Sequence, residues 1–501
     1  MEKESSDKQG DLRMVLAAYP KRLLRALVDV ATRRKVAVYL VGGTVRDWLL
    51  GQPAKDLDLT VATGGVEFCR ELIRTLGGGV LVQLGDCGED AARVVWQDWD
   101  VDIAAFRGGS TSIAADLAKR DFTVNAMALR LPASLSAEPV LIDPLAGAED
   151  LTAKRLRACP GAFENDPLRM LRGFRFLAVL GFDLTDSTIQ AVRRQAGTIS
   201  LAAAERVRHE LDLIMASERA HLTLRSMDDA GLLAHVLPEL YAGAGVAQPG
   251  FHHLDVFRHN LQALAELEGV LNQADLAYPD NLGELTAYLA DGDNRRCLKY
   301  AALCHDIGKP AAQSLPEGGG RVTFHGHDEG GRAIFDQLAR RLKWSNKDRE
   351  RTGQLIAMHM HPFHLCNVRR EEPLSRRAAL KLCRRAGDQL PGLFLLAMAD
   401  SLASRGALKP ADMEGELVAL FTEVMSIRRQ HILPALAGPR LLTGRDLIAA
   451  ANLSPGPIFS EILDELATVQ VEGLVSSRAE ALEWLAGYLA SRQNGTSRPR
   501  P

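Results

Sequence analysis

The sequence predicts an α+β chain: a small mixed sheet with helices, followed by an all-α remainder. Three observations carry this. Short β-branched and aromatic runs at 36–41, 80–84, 91–95 and 99–106 lie near the front of the chain, and such runs read as strands. Segments 44–50 and 66–76 have apolar residues at helical spacing and stop at Gly51 and Gly77. Beyond about residue 161 the apolar positions recur at helical spacing.

In order, residues 11–35 read as a helix with Leu12, Val15, Leu16, Leu23, Leu24, Leu27 and Val28 on its apolar side. The strand at 36–41 is broken by Gly42-Gly43, which start the helix at 44–50. Gly51-Gln52-Pro53 end that helix, and 56–61 alternates acid and apolar as a half-buried strand does. Side chains two apart on a strand share a face, so Asp56 and Asp58 present two carboxylates together. The glycine pair lets backbone N–H groups approach a phosphate, and the helix start adds partial positive charge. A phosphate cradle beside two hard oxygen ligands suits a Mg²⁺-bound nucleotide triphosphate. In the strand at 99–106, Asp102 sits between Val101 and Ile103, again an acid in an apolar run.

As it stands, GGTVRDWLLGQPAKDLDL resembles the first motif of the DNA polymerase β-like nucleotidyltransferases. Within them it is similar to the class II tRNA nucleotidyltransferase and poly(A) polymerase family. The resemblance implies a polymerase β-type palm in which Asp56, Asp58 and Asp102 hold Mg²⁺ while Gly42, Gly43 and Arg46 position the triphosphate. KRDFTVNAMAL (119–129) resembles the motif RRDFTxNA, which implies Arg120 as a phosphate ligand and Asp121 as a partner of the sugar; Lys119 replaces the first arginine. Only Gly108 to Ala115 separates Arg107 from Asp116, where full CCA-adding members carry a longer segment. That shortness leans toward C addition without the terminal A. LIDPLAGAEDL (141–151) resembles the following DPxxGxxDL hinge.

Residues 163–182, FENDPLRMLRGFRFLAVLGF, read as a helix with Leu168, Leu171, Phe174 and Phe176 on one face. Arg169, Arg172 and Arg175 recur every third residue, a stripe that is either a solvated face or a nucleotide-binding one. The resemblance implies that Asp166 and Arg169 read the incoming base. A carboxylate accepts from an exocyclic amine and a guanidinium donates to ring acceptors, which sets C and A apart from U and G. Asn165 stands where CCA-type members often carry Glu. AAERVRHEL (203–211) resembles the next motif, with Glu205, Arg206 and Glu210 bracing the base-reading helix.

A second constellation follows. His259, His305-Asp306, His327, His359 and Asp400 combine imidazole and carboxylate, a set suited to divalent transition metals such as Mn, Fe, Ni or Co. His252, His253, His325 and His361 offer alternative ligands. The order resembles the HD superfamily of metal-dependent phosphohydrolases and implies that Lys309 stabilises phosphate charge. The end of the chain reads as helices, with Thr443 to Asp446 as a helix start and Asn452 to Pro457 as a turn.

Composition sets the outer bounds. The 501 residues are 47% hydrophobic and 25% charged, an ordinary globular balance with room for several domains. A net charge of −3 gives no global sign of nucleic-acid binding. Seven scattered cysteines without a CxxC pair fit reduced thiols in a cytoplasm. No apolar run has membrane-spanning length, and no internal repeat is visible. The expected organisation is a palm at 11–160, a helical neck at 161–222, an HD domain at 223–410 and a helical tail at 411–490. Residues 1–10 and 491–501 are expected to be disordered. The expected function is a template-independent tRNA 3′-end nucleotidyltransferase using CTP and ATP, with a phosphohydrolase activity at the HD site. Poly(A) polymerase is the alternative within the class, and an HD phosphodiesterase or phosphatase the alternative outside it.

Overall fold

The computed structural model describes residues 16, 19–52, 56–84, 90–132, 140–315, 322–438, 440–451 and 453–493. Leu12, Val15, Pro53, Cys87, Asn452, the expected tail at 1–10 and, of the one expected at 491–501, residues 494–501 lie outside these residues. The chain falls into two compact units, Met1–Val236 and Leu237–Pro501. The expected neck boundary at 222 falls inside the helix Ala220–Asp229.

The first described helix, α1 (Lys21–Arg34), begins after Pro20 and is stopped by Lys35 in the left-handed region. The helix expected over 11–35 is interrupted at Tyr19-Pro20: Leu16 is helical, and a helix begins again at Lys21, because proline is favoured only at a helix start. It buries Leu23, Leu24, Ala26, Leu27 and Val30. Strand β1 (Val38–Val41) leads into α2 (Gly43–Leu49), and β2 (Asp56–Val61) follows. Helix α3 (Gly65–Leu76) turns Phe68, Cys69, Leu72 and Leu76 onto the sheet and packs against α1. Strands β3 (Val80–Gln83), β4 (Ala91–Trp96) and β5 (Trp99–Ala105) form a meander. The sheet is seven-stranded, ordered β3-β4-β5-β2-β1-β6-β7, with β6 (Ala128–Arg130) and β7 (Val140–Ile142) completing it. Only the β2–β5 pair is parallel, so the sheet is mixed as expected.

Beyond the sheet, β8 (Arg155–Leu156) pairs in parallel with β9 (Asp183–Leu184). The neck is therefore not purely helical: a two-residue strand is too short to show a period of its own. Between them Asp166-Pro167 breaks the expected single helix, leaving a short helix Ala162–Asn165 and then α4 (Leu168–Leu180). Helix α4 buries Leu168, Leu171, Phe174 and Phe176 and packs against α5 (Ala204–Ala216).

The second unit is helical. Helices α6 (Val256–Asn272), α7 (Gly292–Cys304), α8 (His327–Arg341), α9 (Asn346–Met358) and α10 (Leu390–Ala403) build its larger body. Nearly every side chain of α10 is buried, including Leu393, Phe394, Leu395 and Leu396, as a helix surrounded by others requires. Helices α6 and α7 pack on it. Towards the end of the chain the helices Gly444–Ala451, Pro457–Glu472 and Arg478–Gln493 enclose a separate core of Leu447, Ile462, Leu466, Val469 and Leu485. The last of these runs to Gln493, past the expected end of order at 490.

Candidate functional site

In the first unit the parallel register of β2 and β5 sets Asp56 beside Asp100 and Asp58 beside Asp102. The acids alternate with apolar residues, so all four point to the same face. The Thr44 hydroxyl, at the start of α2, accepts from Asp58 N at 2.9 Å and donates to Asp56 O at 3.2 Å. Gly42 has φ +67°, and a Cβ there would lie 3.0 Å from Arg120 Nη1 and 3.5 Å from Asp58 Oδ2. Only glycine combines that backbone with so close an approach.

These elements frame a cleft of about 940 Å³. Of the residues that sequence assigns to nucleotide transfer, all but Asp56 and Asp166 line it. Asp56 is exposed at the start of its strand. Asp166 accepts from Leu168 N at 3.1 Å and from Arg206 Nη2 at 2.8 Å, which holds it at the break before α4. Arg169 reaches the carbonyls of Arg120 and Ala162 at 3.1 and 3.4 Å. Arg172 Nη2 lies 3.0 Å from Asp121 Oδ2, and Arg175 Nε donates to Glu210 at 2.6 Å. Arg172 and Arg175 are therefore ion-paired along the cleft wall while Arg169 is held by backbone carbonyls, and Arg206 and Glu210 of α5 brace α4.

Sequence reasoning did not single out Asn125, Asp116 or Arg107 as site residues. Asn125 accepts from Arg46 Nη1 at 2.8 Å and donates to Asp121 at 3.1 Å, joining the first and second motifs. Asp116 is fully buried, accepts from Arg107 N at 2.7 Å and lies 3.5 Å from Arg120 Nη2. Its place just before KRD is the one signal that could have marked it. Burial and the neighbouring Arg107 push Arg120 down to about 10. Burial opposes ionisation of Asp121, but Arg172 and the Asn125 amide outweigh it and hold that carboxyl low. Asp58 is pushed up by burial and then by Asp102. Crowded hard oxygen donors that favour a proton also favour a hard divalent cation, so the acid face fits Mg²⁺.

In the second unit all six predicted HD ligands converge. His259 Nε2 lies 3.2 Å from His305 Nε2 and 3.1 Å from Asp400 Oδ1; His327 Nε2 lies 3.1 Å from His359 Nε2. Asp306 Oδ1 is 3.3 Å from His327 Nε2, and its Oδ2 is 3.3 Å from His305 Nε2. The outer ring nitrogens fix the tautomers. Nδ1 of His305, His327 and His359 faces the carbonyls of Ala302, Phe324 and Ile356 at 2.9, 2.7 and 2.7 Å. A carbonyl only accepts, so each Nδ1 donates and a neutral ring turns a bare Nε2 lone pair inward. Facing lone pairs at such distances call for a cation between them, and the donor set fits a divalent transition metal. Asp306 belongs to two candidate ligand groups, one with His252 and His259 and one with His327 and His359.

His305 and Lys309 outweigh burial and hold Asp306 well below the usual carboxylate range. Burial pushes His259 and His359 down. Lys309 Nζ reaches Asp306 Oδ2 and Gln248 Oε1, both at 2.5 Å. A Cβ at Gly308 would collide with His327 O at 2.1 Å, so glycine is needed for α8 to close on the HD pair.

Comparison with known proteins shows the family. Residues 38–157 match the Poly A polymerase head domain family, 181–242 the family described as "Probable RNA and SrmB- binding site of polymerase A", and 280–403 the HD domain family. The A-adding tRNA nucleotidyltransferase of Deinococcus radiodurans is 34% identical over 457 residues, 88% of this chain and 93% of that protein. The CC-adding tRNA nucleotidyltransferase of Thermus thermophilus is 32% identical, over 90% of this chain and 94% of that protein. The fold is shared with the CCA-adding enzyme of Thermotoga maritima, solved in complex with tRNA, at a TM-score of 0.63 and 20% identity over 96% of this chain and 99% of that one. Identity of this level along nearly the whole of two relatives, and matches to the head and HD domain families in turn, make the chain a member of the tRNA nucleotidyltransferase and poly(A) polymerase family with an HD domain.

Proposed function

We propose that the protein is a template-independent tRNA 3′-end nucleotidyltransferase that adds C, A or both from CTP and ATP and releases pyrophosphate. The observation that carries this is one cleft holding Asp58 and Asp102 beside the Gly42-Gly43 turn and a wall of arginines. Asp56, Asp58 and Asp102 would hold Mg²⁺, which when bound lowers the pKa of the RNA 3′-hydroxyl and neutralises charge on the triphosphate. Gly42, Gly43, Arg46 and Arg120 position the phosphates so that the hydroxyl meets the α-phosphorus and pyrophosphate departs. Asp121 supports the sugar, and Arg169, Arg172 and Arg175 offer donors to the base and phosphates. Asp166 is held by Leu168 N and Arg206 through one lone-pair direction on each oxygen and keeps others to accept from an exocyclic amine of the base. Both of the nearly full-length relatives described above are named as tRNA enzymes, which disfavours poly(A) polymerase. Pyrophosphate release from CTP or ATP that depends on a tRNA lacking its 3′ end tests this reading.

A second activity is supported by the six converging HD ligands. We propose that His259, His305, Asp306, His327, His359 and Asp400 hold a divalent transition metal whose Lewis acidity serves phosphate-ester hydrolysis. Lys309 is placed to meet phosphate charge. The palm at 11–160, neck at 161–222, HD region at 223–410 and tail at 411–490 remain the proposed division of labour. No helix among the described residues is long and apolar enough to cross a membrane; from the scattered cysteines, six of which are described and free, we place the protein in the cytoplasm.

A further inference from the structure

Arg93 belongs to none of the motifs, and its side chain does not line the cleft. It stands on β4 directly across from Asp102 on β5. Its Nε and Nη2 donate to the two oxygens of Asp102 at 2.7 and 2.9 Å, and its Nη1 donates to Asp100 Oδ2 at 3.0 Å. A guanidinium fork of this kind fixes the plane of a carboxylate as well as its position.

The charges around it explain the need for a fork. Asp56, Asp58, Asp100 and Asp102 form a block of four carboxylates on one face of two neighbouring strands. Like charges on side chains facing each other across strands repel. Arg93 places a fixed cation on the far side of Asp102 that offsets this repulsion. With the fork, each Asp102 oxygen spends one lone-pair direction on Arg93 and keeps another for the cleft.

We propose that Arg93 is a positioning residue of the transfer site, holding Asp102 beside Asp58 in the orientation that receives the divalent ion accompanying the nucleotide. This rests on the nucleotidyl-transfer reading above. Arg93 touches neither nucleotide nor RNA, and its effect passes through Asp102.

The test is equilibrium dialysis of labelled CTP against the full chain, with and without Mg²⁺, read beside primer extension. Arg93→Met is expected to keep the metal-free CTP affinity within about twofold while losing about tenfold of the Mg²⁺-dependent gain, the size usual for a residue that orients a ligand. Arg93→Lys recovers part of the gain, since a point charge cannot hold both oxygens. Asp100→Asn keeps the gain, because both bonds to Asp102 remain. Arg93→Met/Asp102→Asn is no weaker than Asp102→Asn alone. A wild-type Mg²⁺ gain in Arg93→Met, or a further tenfold loss in the double variant, overturns the proposal. Should Arg93→Met fail to fold by circular dichroism, Arg93→Gln takes its place, and a wild-type gain there overturns it equally. The same dialysis is run with labelled ATP, which replaces CTP throughout if only ATP binds; a wild-type protein that binds neither removes the transfer reading and this role with it, and the other outcomes concern Arg93 alone.

Discussion

The Thr44 hydroxyl clasps the backbone of Asp58, accepting its N–H at 2.9 Å while donating to the carbonyl two residues earlier. A residue on α2 thereby sets the height of the acid pair on β2. Thr44 is buried, so Thr44→Val leaves two backbone groups without partners at about 1–3 kcal/mol each. Thermal melting is expected to fall by several degrees and transfer by about tenfold, since small misplacements of catalytic groups are costly. Thr44→Ser, which keeps the hydroxyl, is expected to restore most of both.

Asp58→Ala is expected to abolish nucleotide transfer while leaving the fold intact. The variant relieves a carboxyl that burial and Asp102 already disfavour, so its melting temperature is expected to be no lower than that of the parent. An Asp58→Ala protein that still extends tRNA contradicts the assignment.

His359→Ala is expected to reduce bound transition metal and phosphohydrolase activity, with tRNA extension within about twofold of the parent. Nε2 of His327 and Nε2 of His359 lie 3.1 Å apart, close enough for one ion to bind both. A chelator is accordingly expected to lower the melting temperature of the parent, measured by calorimetry, and to have little effect on His359→Ala. Binding of an ion to the folded state alone accounts for the difference.

Asp150 accepts from Thr123 Oγ1 at 2.8 Å and from Arg157 Nε and Nη2, both at 2.9 Å. Its carboxyl is fully buried beneath exposed arginines. Burial opposes its ionisation, yet the bonds to Arg157 and Thr123 hold it below the ordinary value. A depressed folded value means the stabilisation is complete above the unfolded value of about 3.9 and is lost as pH falls through the folded one. Asp150→Asn is therefore expected to be less stable than the parent at pH 7 and to show a shallower loss between pH 4 and 2. Denaturant unfolding across that range measures both.

Both sites are legible in the sequence where their chemistry is written in local strings. Asp56 and Asp58 alternate along one strand, Arg120 and Asp121 are adjacent, and His305 and Asp306 are neighbours at a helix end. Their partners are not legible, because they arrive from other elements. Arg93 meets Asp102 only through the β4–β5 register. Asn125 meets Arg46 only because the second motif folds onto α2. Asp166 reads as a base-contacting acid, but that Arg206, brought by α5, reaches its carboxylate is not legible in the sequence. In the fold, α3, β4 and β5 follow from periodicity, while β6 and β9 are three and two residues long and exist by pairing.

The most direct test of the central claim is primer extension by the purified protein on tRNA transcripts ending before CCA, after the first C and after CC. Each is incubated with Mg²⁺ and CTP, ATP or both. The account predicts growth of at least one transcript by C or A that ceases in Asp58→Ala. Addition of two C residues and then A marks a complete enzyme, a stop at CC marks a CC-adding one, and growth only from CC with ATP marks an A-adding one. No extension of any transcript by a folded protein would contradict the account.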